Sequence, residues 1–382
     1  MVDRRWRAGV LAASLLALSV LAPGRDATAE PDTGRGDPCQ RVTLVDGRSG
    51  EAVVGAEDIA IDRVSGRIFL SAYDRWALDD GVDADAANLP QGTIYAAPLA
   101  VLARRPERLP LRPVARGADR DFHPHGIALY RSAGKAHLFA INHEYRRRDG
   151  GWTRTSALAR YRITPAGLSH LATHRHPGLC RANDLAALDA QTLLVTRDHG
   201  ACAGPGRWLE MLLGLDRAQV VRAVLDGGGD GDVDLATRAA DLGFANGIAR
   251  EPGGHRVAVA ATRDSAIRIY DARALAAGEP TALRRTVRLD GGPDNLSWSP
   301  KGEVIAAVHP SLLALGMARH RWFGRRRAGS RVVAVNPDTG RTRALFRDPG
   351  GTRLNAATSA VRIDAGVVVS SVLDDALLVC RP

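Results

Sequence analysis

One phrase recurs six times along this chain, and a chain of six similar units has few ways to bury itself. Each copy is two polar residues, a short alternating strand, a turn, and a second apolar strand that ends polar. Glu57-Asp58 leads into IAIDRVSGRIFLSAYD, His125-Gly126 into IALYRSAGKAHLFAINHE, and Asn183-Asp184 into LAALDAQTLLVTRDH. Asn246-Gly247 leads into IAREPGGHRVAVAATRD and Asp294-Asn295 into LSWSPKGEVIAAVHP. The last copy is worn: Ser359-Ala360 leads into VRIDAGVVVSSVLDD. The copies stand about 50–70 residues apart, a period that suits radially repeated four-stranded units. Strand candidates at residues 92–98, 157–163, 267–270 and 331–336 fill the units, and Gly and Pro punctuate them. The expected fold is all-β, a six-bladed β-propeller forming one domain over residues 30–382.

Residues 1–29 have the grammar of a secretory signal peptide. Arg4, Arg5 and Arg7 precede an apolar run at residues 8–22, and Ala27-Thr28-Ala29 offers small residues for cleavage. The run is too short for a membrane span, and no cysteine stands at the cleavage point to carry a lipid. The protein is therefore expected to be exported, periplasmic or secreted, without a stable membrane anchor. Four cysteines in an exported chain suggest two disulfides. Pairing Cys39 with Cys380 would staple the two chain ends, as a closed ring requires, and contributes at most roughly 5–6 kcal/mol by chain entropy. Cys180 and Cys202 are left to pair locally. Free thiols are the alternative for each pair, and export disfavours them.

The formal charge of +10 invites a nucleic-acid partner. Only Lys135 and Lys301 are lysines, however, the arginines are scattered, and no basic stripe interleaves with aromatics. The dense basic patch RHRWFGRRR, residues 319–327, is expected to be a solvated loop. WLEMLLGL, residues 208–215, fits either an amphipathic helix over the channel mouth or a blade strand.

If each phrase opens the innermost strand of a unit, the polar dipeptides surround one end of a central channel. Glu57, Asn183, Asn246, Asp294 and Asn295 then converge with carboxylate and amide oxygens, a hard donor set that suits Ca²⁺. Asp58 and Asp184, the second members of their pairs, would lie deeper and hold another cation with a carbonyl such as that of Ile127. The acidic loop DGGGDGDVD, residues 226–234, is a decoy, because Thr237 stands where an EF-hand needs its glutamate. His125 and His143 fall at the same end of one hairpin, where two imidazoles can relay a proton. There is no Gly-Xaa-Ser-Xaa-Gly elbow, His-Glu-Xaa-Xaa-His motif, P-loop or dinucleotide fingerprint. Hydrolysis here should be metal-assisted.

These residues resemble the paraoxonase/arylesterase family of calcium-dependent lactonases. The likeness lies in residues 124–127 (PHGI), Asn142-His143, Glu57-Asp58, Asn183-Asp184, residues 244–248 (FANGI), Asp294-Asn295 and His309-Pro310, in the family's order. It extends over roughly residues 39–380. The resemblance implies two calcium ions in the tunnel of a six-bladed propeller. The catalytic ion would be held by Glu57, Asn183, Asn246, Asp294 and Asn295, and the structural ion by Asp58, Asp184 and the Ile127 carbonyl. It also implies a catalytic dyad of His125 and His143, pocket residues His309, Phe244 and Tyr73, and a Cys39–Cys380 staple. The Cys180–Cys202 pair and the basic insertion at residues 312–327 depart from the family pattern, which bears on substrate range.

The expected partner is a small-molecule lactone or ester, with calcium on the carbonyl, His125 taking a proton from water and His143 supporting it. Asp294 is the rival base. Two other readings stand beside this one. The first is a gluconolactonase- or strictosidine-synthase-like propeller enzyme, which the paired PHG and NH motifs fit less well. The second is a non-catalytic exported propeller whose metals only brace the channel. Oligomeric state and natural substrate have no signature in the sequence.

Overall fold

The computed structural model describes residues 38–116, 121–132, 134–148, 151–226 and 231–381. The leader and part of the acidic loop at residues 226–234 lie outside these. The fold is an all-β propeller. The first strands of the six phrases are Ala56–Asp62, Pro124–Ser132, Ala182–Ala187, Ala245–Arg250, Gly292–Trp298 and Ala357–Ile363. Each lies beside the next, and the last lies beside the first, so they enclose an axis.

The strands assemble into five sheets among the described residues, where six were expected. Three are four-stranded, one is five-stranded and one is eight-stranded. The merger has a specific cause. Strand Cys39–Asp46 pairs antiparallel with Ala376–Cys380 and, on its other edge, parallel with Arg108–Pro113. One continuous sheet therefore runs from Ala56–Asp62 to Ala357–Ile363 through the N-terminal strand. Cys39 sits directly opposite Cys380 in that pairing, and the two form a disulfide. Cys180 and Cys202 form the second.

The core lies between sheets rather than within one layer. Ala258, Ala260 and Ile267 of one sheet pack on Val304, Ala306 and Val308 of the next. Second strands such as Arg256–Ala261 (RVAVAA) and Val304–His309 (VIAAVH) are apolar on both faces because each face meets a neighbouring sheet. The small Ala side chains fit where the sheets taper toward the axis.

Each first strand is broken at the same place. The pairing register slips between Ala56 and Asp58, Pro124 and Ile127, Ala182 and Leu185, Ala245 and Ile248, Pro293 and Leu296, and Ala357 and Ala360. Successive side chains of a regular strand point to opposite faces. A bulge relaxes that alternation and re-aims side chains, so both residues of a polar dipeptide can serve the channel. Neighbouring units also close in tightly at the bulges. A Cβ on Gly126 would lie 2.3 Å from Asp184 Oδ1, and one on Gly247 would lie 2.6 Å from the Asn295 Cα and the Asp294 carbonyl oxygen. Backbone cannot yield as a side-chain tip does. Gly247→Ala should therefore cost about 2–3 kcal/mol of stability, measurable as a lowered urea midpoint, whereas Gly316→Ala, which meets nothing within 4 Å, should not.

Short helices decorate the channel end. Arg75–Asp83 starts at Asp74, whose carboxylate accepts from the Trp76 and Ala77 N–H groups. Of the basic stretch at residues 319–327, expected as a solvated loop, residues 322–327 are exposed while Arg319 and Arg321 dock on this helix. Arg319 pairs with Asp79 and Arg321 with Asp80, and Trp76 Nε1 donates to the Arg319 carbonyl at 3.0 Å. The segment WLEMLLGL resolves as helix Gly204–Leu213, which exposes Trp208, Leu209, Met211 and Leu213. Among the described residues no helix is long and apolar enough to cross a membrane.

Candidate active site

The dipeptides of the bulges converge, and their side chains are buried. Glu57 Oε1 lies 3.1 Å from Thr358 Oγ1, and the same hydroxyl lies 3.0 Å from Asp294 Oδ2. One hydroxyl has one proton, so it can satisfy only one of these carboxylates at a time. Asn295 Nδ2 approaches Glu57 Oε1 at 3.4 Å, Asn183 Oδ1 is buried without a partner, and Asn246 is buried beside the ring. His309 Nε2 lies 2.7 Å from Asp294 Oδ2, which leaves His309 Nδ1 unpartnered.

Asp58 and Asp184 form a second tier. Asp58 accepts from the N–H of Ile59 and Ile127 at 2.8 Å and from Ser359 Oγ at 3.1 Å. Asp184 accepts at 2.7 Å from the N–H of Leu185 and Ile248. At Ile127 it is thus the N–H that reaches Asp58. Burial pushes Asp58 up to about 7. Burial, then the charge of Asp58, pushes Asp184 well above the usual carboxylate range. A cavity of about 510 Å³ extends below this pair, lined by Ala60, Leu129, Ala187, Ala249 and Trp298. It lies on the side away from the histidines, so its size does not mark it as the place of the chemistry.

Two observations bear on whether a cation fits. Asn183 Oδ1 and the doubly claimed Thr358 hydroxyl leave oxygen lone pairs unmet in the upper tier. The lower tier buries two mutually repelling carboxylates. Both tiers are oxygen-rich and thiolate-free, a donor chemistry that fits calcium. Among the described residues no three His, Cys, Asp or Glu side chains group as a metal cluster by themselves; the amides are needed to complete the set.

The histidines are buried beside the upper tier, His125 Nδ1 lying 3.7 Å from Glu57 Oε1. His125 and His143 rings are 4.5 Å apart, centre to centre. His125 Nδ1 lies 2.8 Å from Arg75 Nη2, and a guanidinium only donates. His125 Nδ1 is therefore the acceptor and its proton sits on Nε2. His143 Nε2 lies 3.1 Å from the Ala182 carbonyl oxygen and must donate to it, so its lone pair is on Nδ1, which has no partner. Burial, then Arg75 and Arg154, lowers the His125 pKa; burial, then Arg154 and His125, lowers that of His143. Both rings are neutral at neutral pH.

Arg75 and Arg181 had no signal in the six-phrase pattern, and Asp198 and His199, at the polar end of the third phrase, were not singled out. Arg75 is 5% exposed, bonds Glu57 Oε2 at 2.6 Å and stacks 4.1 Å over the Tyr73 ring. Its place just after the Tyr73-Asp74 strand end was the available clue. Arg181, Asp198 and His199 form a buried cluster, with Arg181 bidentate on Asp198 and His199 Nδ1 2.7 Å from Asp198 Oδ1. Hydrogen bonds from His199 and the charges of Arg181 and Arg154 hold the Asp198 carboxyl well below the usual range despite its burial. Tyr73 packs edge-on to His123. Phe244 has φ 62°, uncommon for a bulky residue, and its ring meets His199 edge-on at 5.3 Å.

Residues 86–380 match the family model described as Arylesterase. The chain is 28% identical over 264 residues to serum paraoxonase/arylesterase 2 of Gallus gallus, covering 68% of each protein. It is 27% identical over 261 residues to serum paraoxonase/arylesterase 1 of Mus musculus, covering 68% of this chain and 66% of that one. The match thus spans about two thirds of these relatives' length. Among solved structures, a luciferin-regenerating enzyme aligns with 90% of this chain and 94% of its own at a TM-score of 0.49 and 12% identity.

Proposed function

The chain belongs to the arylesterase family, and from that premise we propose that it is an exported, calcium-dependent hydrolase of lactones and aryl esters. The observation that carries this reading is the pair of neutral imidazoles beside a buried ring of oxygen donors with unmet lone pairs. We read the fold as six-bladed and as one domain over residues 30–382, counting the eight-stranded sheet as two blades. The closed ring of six first strands supports that count. The leader grammar of residues 1–29 and the word serum in the relatives' names support export.

Glu57, Asn183, Asn246, Asp294 and Asn295 would hold one calcium ion, and Asp58, Asp184 and the Ile127 carbonyl the other. When bound in the upper tier, calcium supplies a Lewis acid for the substrate carbonyl oxygen and its developing charge. The protein's own groups do the rest. His143 Nδ1 offers the free lone pair that takes a proton from water. His125, whose Nδ1 is engaged by Arg75, keeps its Nε2 proton and orients the reacting groups. This exchanges the roles expected from the sequence. Asp294 is a poorer base, because Oδ2 already accepts from His309 and faces Thr358. His309, Tyr73 and Phe244 line the entrance.

The test is metal analysis of the purified protein followed by a lactone, aryl-ester and phosphotriester panel with and without chelator. About two calcium ions per chain and chelator-sensitive hydrolysis are expected. Full activity after complete calcium removal would overturn the metal's role. Tightly held calcium with no hydrolysis across the panel would favour a non-catalytic propeller.

A further inference from the structure

The reaction above leaves several buried guanidinium N–H groups without an acceptor. Arg75 uses Nη2 on Glu57 and His125, but its Nη1 is buried with no hydrogen-bond partner. Arg154 lies on strand Gly151–Thr164, opposite Tyr145 in the long hairpin that carries His143. Its Nη2 is also buried and unpartnered. Arg207, on helix Gly204–Leu213, has a buried, unpartnered Nε. His143 faces Ser156 on the same ladder, so Arg154, two residues along, shares the face of Tyr145 and His143, and its charge acts on both histidines.

Counting charges makes the imbalance plain. Asp198 neutralises Arg181. Arg207 has the buried Glu210 on its own helix and Arg75 shares Glu57 with the oxygen ring, whereas Arg154 makes no ion pair among the described residues and leaves its charge over beside the histidines. Buried donors without acceptors are costly, more so when charged. A neutral aryl ester can offer them a carbonyl oxygen but no compensating charge. A carboxylate meets them well, because planar guanidinium and carboxylate groups match in geometry and charge.

We propose that Arg75 and Arg154 form an anion-binding subsite beside His125 and His143, and that the substrates are esters or lactones carrying a free carboxylate. This rests on the hydrolase reading for turnover but not for binding. Arg75 is also a positioning residue for His125, so Arg154 is the cleaner one to alter.

Two probes separate the questions. For turnover, the calcium-loaded full chain is assayed with 4-nitrophenyl hydrogen glutarate and with its neutral methyl ester. The kcat/KM ratio should favour the acid by at least about tenfold, fall toward one in Arg154→Gln, and recover in part in Arg154→Lys. Equal wild-type values, or an Arg154→Gln loss identical for both esters, would overturn the proposal. For binding, calorimetry compares the inert amide N-phenylglutaramic acid with its methyl ester. The acid should bind at least about tenfold more tightly, and Arg154→Gln should remove the difference. If the acid is preferred while neither ester is hydrolysed, the subsite stands and the hydrolase reading fails. If the acid binds no more tightly than its methyl ester, the subsite is refuted whatever the turnover.

Discussion

Glu57→Gln is expected to lower kcat/KM for 4-nitrophenyl acetate by about 10³-fold in saturating calcium, the scale of losing the main electrostatic stabiliser of a developing oxyanion. The change keeps the side chain's size and removes only its charge. Glu57 pairs with Arg75 at 2.6 Å, and that ion pair is what the substitution breaks, since the glutamine carbonyl can still accept from the Thr358 hydroxyl now at 3.1 Å. Without the carboxylate, the buried Arg75 guanidinium loses its counter-ion, and breaking one side of a buried pair leaves an uncompensated charge. The upper tier also loses one of its two acidic donors. Calorimetric calcium titration separates these effects, since the variant should retain the lower-tier ion and bind the upper one weakly. Activity within a few-fold of wild type, with calcium binding intact, would remove Glu57 from the chemistry.

The second large effect concerns Asp184. In chelated protein Asp58 and Asp184 hold their protons more tightly when folded than when unfolded, because they are buried near each other. At this pair the folded state then binds more protons than the unfolded state between about pH 4 and 7, so the pair's own contribution to stability falls as pH rises through that window, while the lowered histidines His125 and His143 contribute with the opposite sign. Calcium reverses the sign, since the ion needs both carboxylates charged. At about a thousandfold over its Kd it adds about 4 kcal/mol. Asp184→Asn removes the repulsion and a ligand at once. Chelated at pH 8, the variant should unfold at higher temperature than chelated wild type, yet gain little from added calcium. Thermal unfolding from pH 4.5 to 8, with and without chelator, reads both effects. A gap between chelated Asp184→Asn and chelated wild type that failed to widen from pH 5 to 8 would contradict this account of the pair.

The recurrence of the phrase carried the architecture because each copy combines two periodicities with a polar start, and tertiary packing has nothing to override. The Cys39–Cys380 bond was equally legible from the chain ends. The bulges were not. A sequence shows Asn183 beside Asp184, and strand alternation alone would send them to opposite faces; only the slip between Ala182 and Leu185 explains how both reach the channel. Gly126 and Gly247 looked like half of a dipeptide, yet their role is to let neighbouring backbones approach. Arg75 and Arg154 were lost among 52 basic residues, since nothing in local spacing separates a buried guanidinium from a solvated one. Thr358 was hidden because the sixth copy substitutes hydroxyls for acids and amides, with Thr358 and Ser359 reaching the carboxylates of Glu57 and Asp58.

The N-terminal strand Cys39–Asp46 has its antiparallel partner at Ala376–Cys380, 341 residues from Cys39 to Cys380. Seam closure must therefore await the final strand of the chain. Until then one sheet keeps an open edge, a template for pairing with another chain, and the most distant contact in the molecule is the last available. A truncation that removes only residues 376–382 should leave most of the sheet interfaces in place while exposing that edge. Self-association, rather than loss of secondary structure, is its expected signature in sedimentation and circular dichroism. The seam thus ties the cover of one sheet edge to the presence of strand Ala376–Cys380.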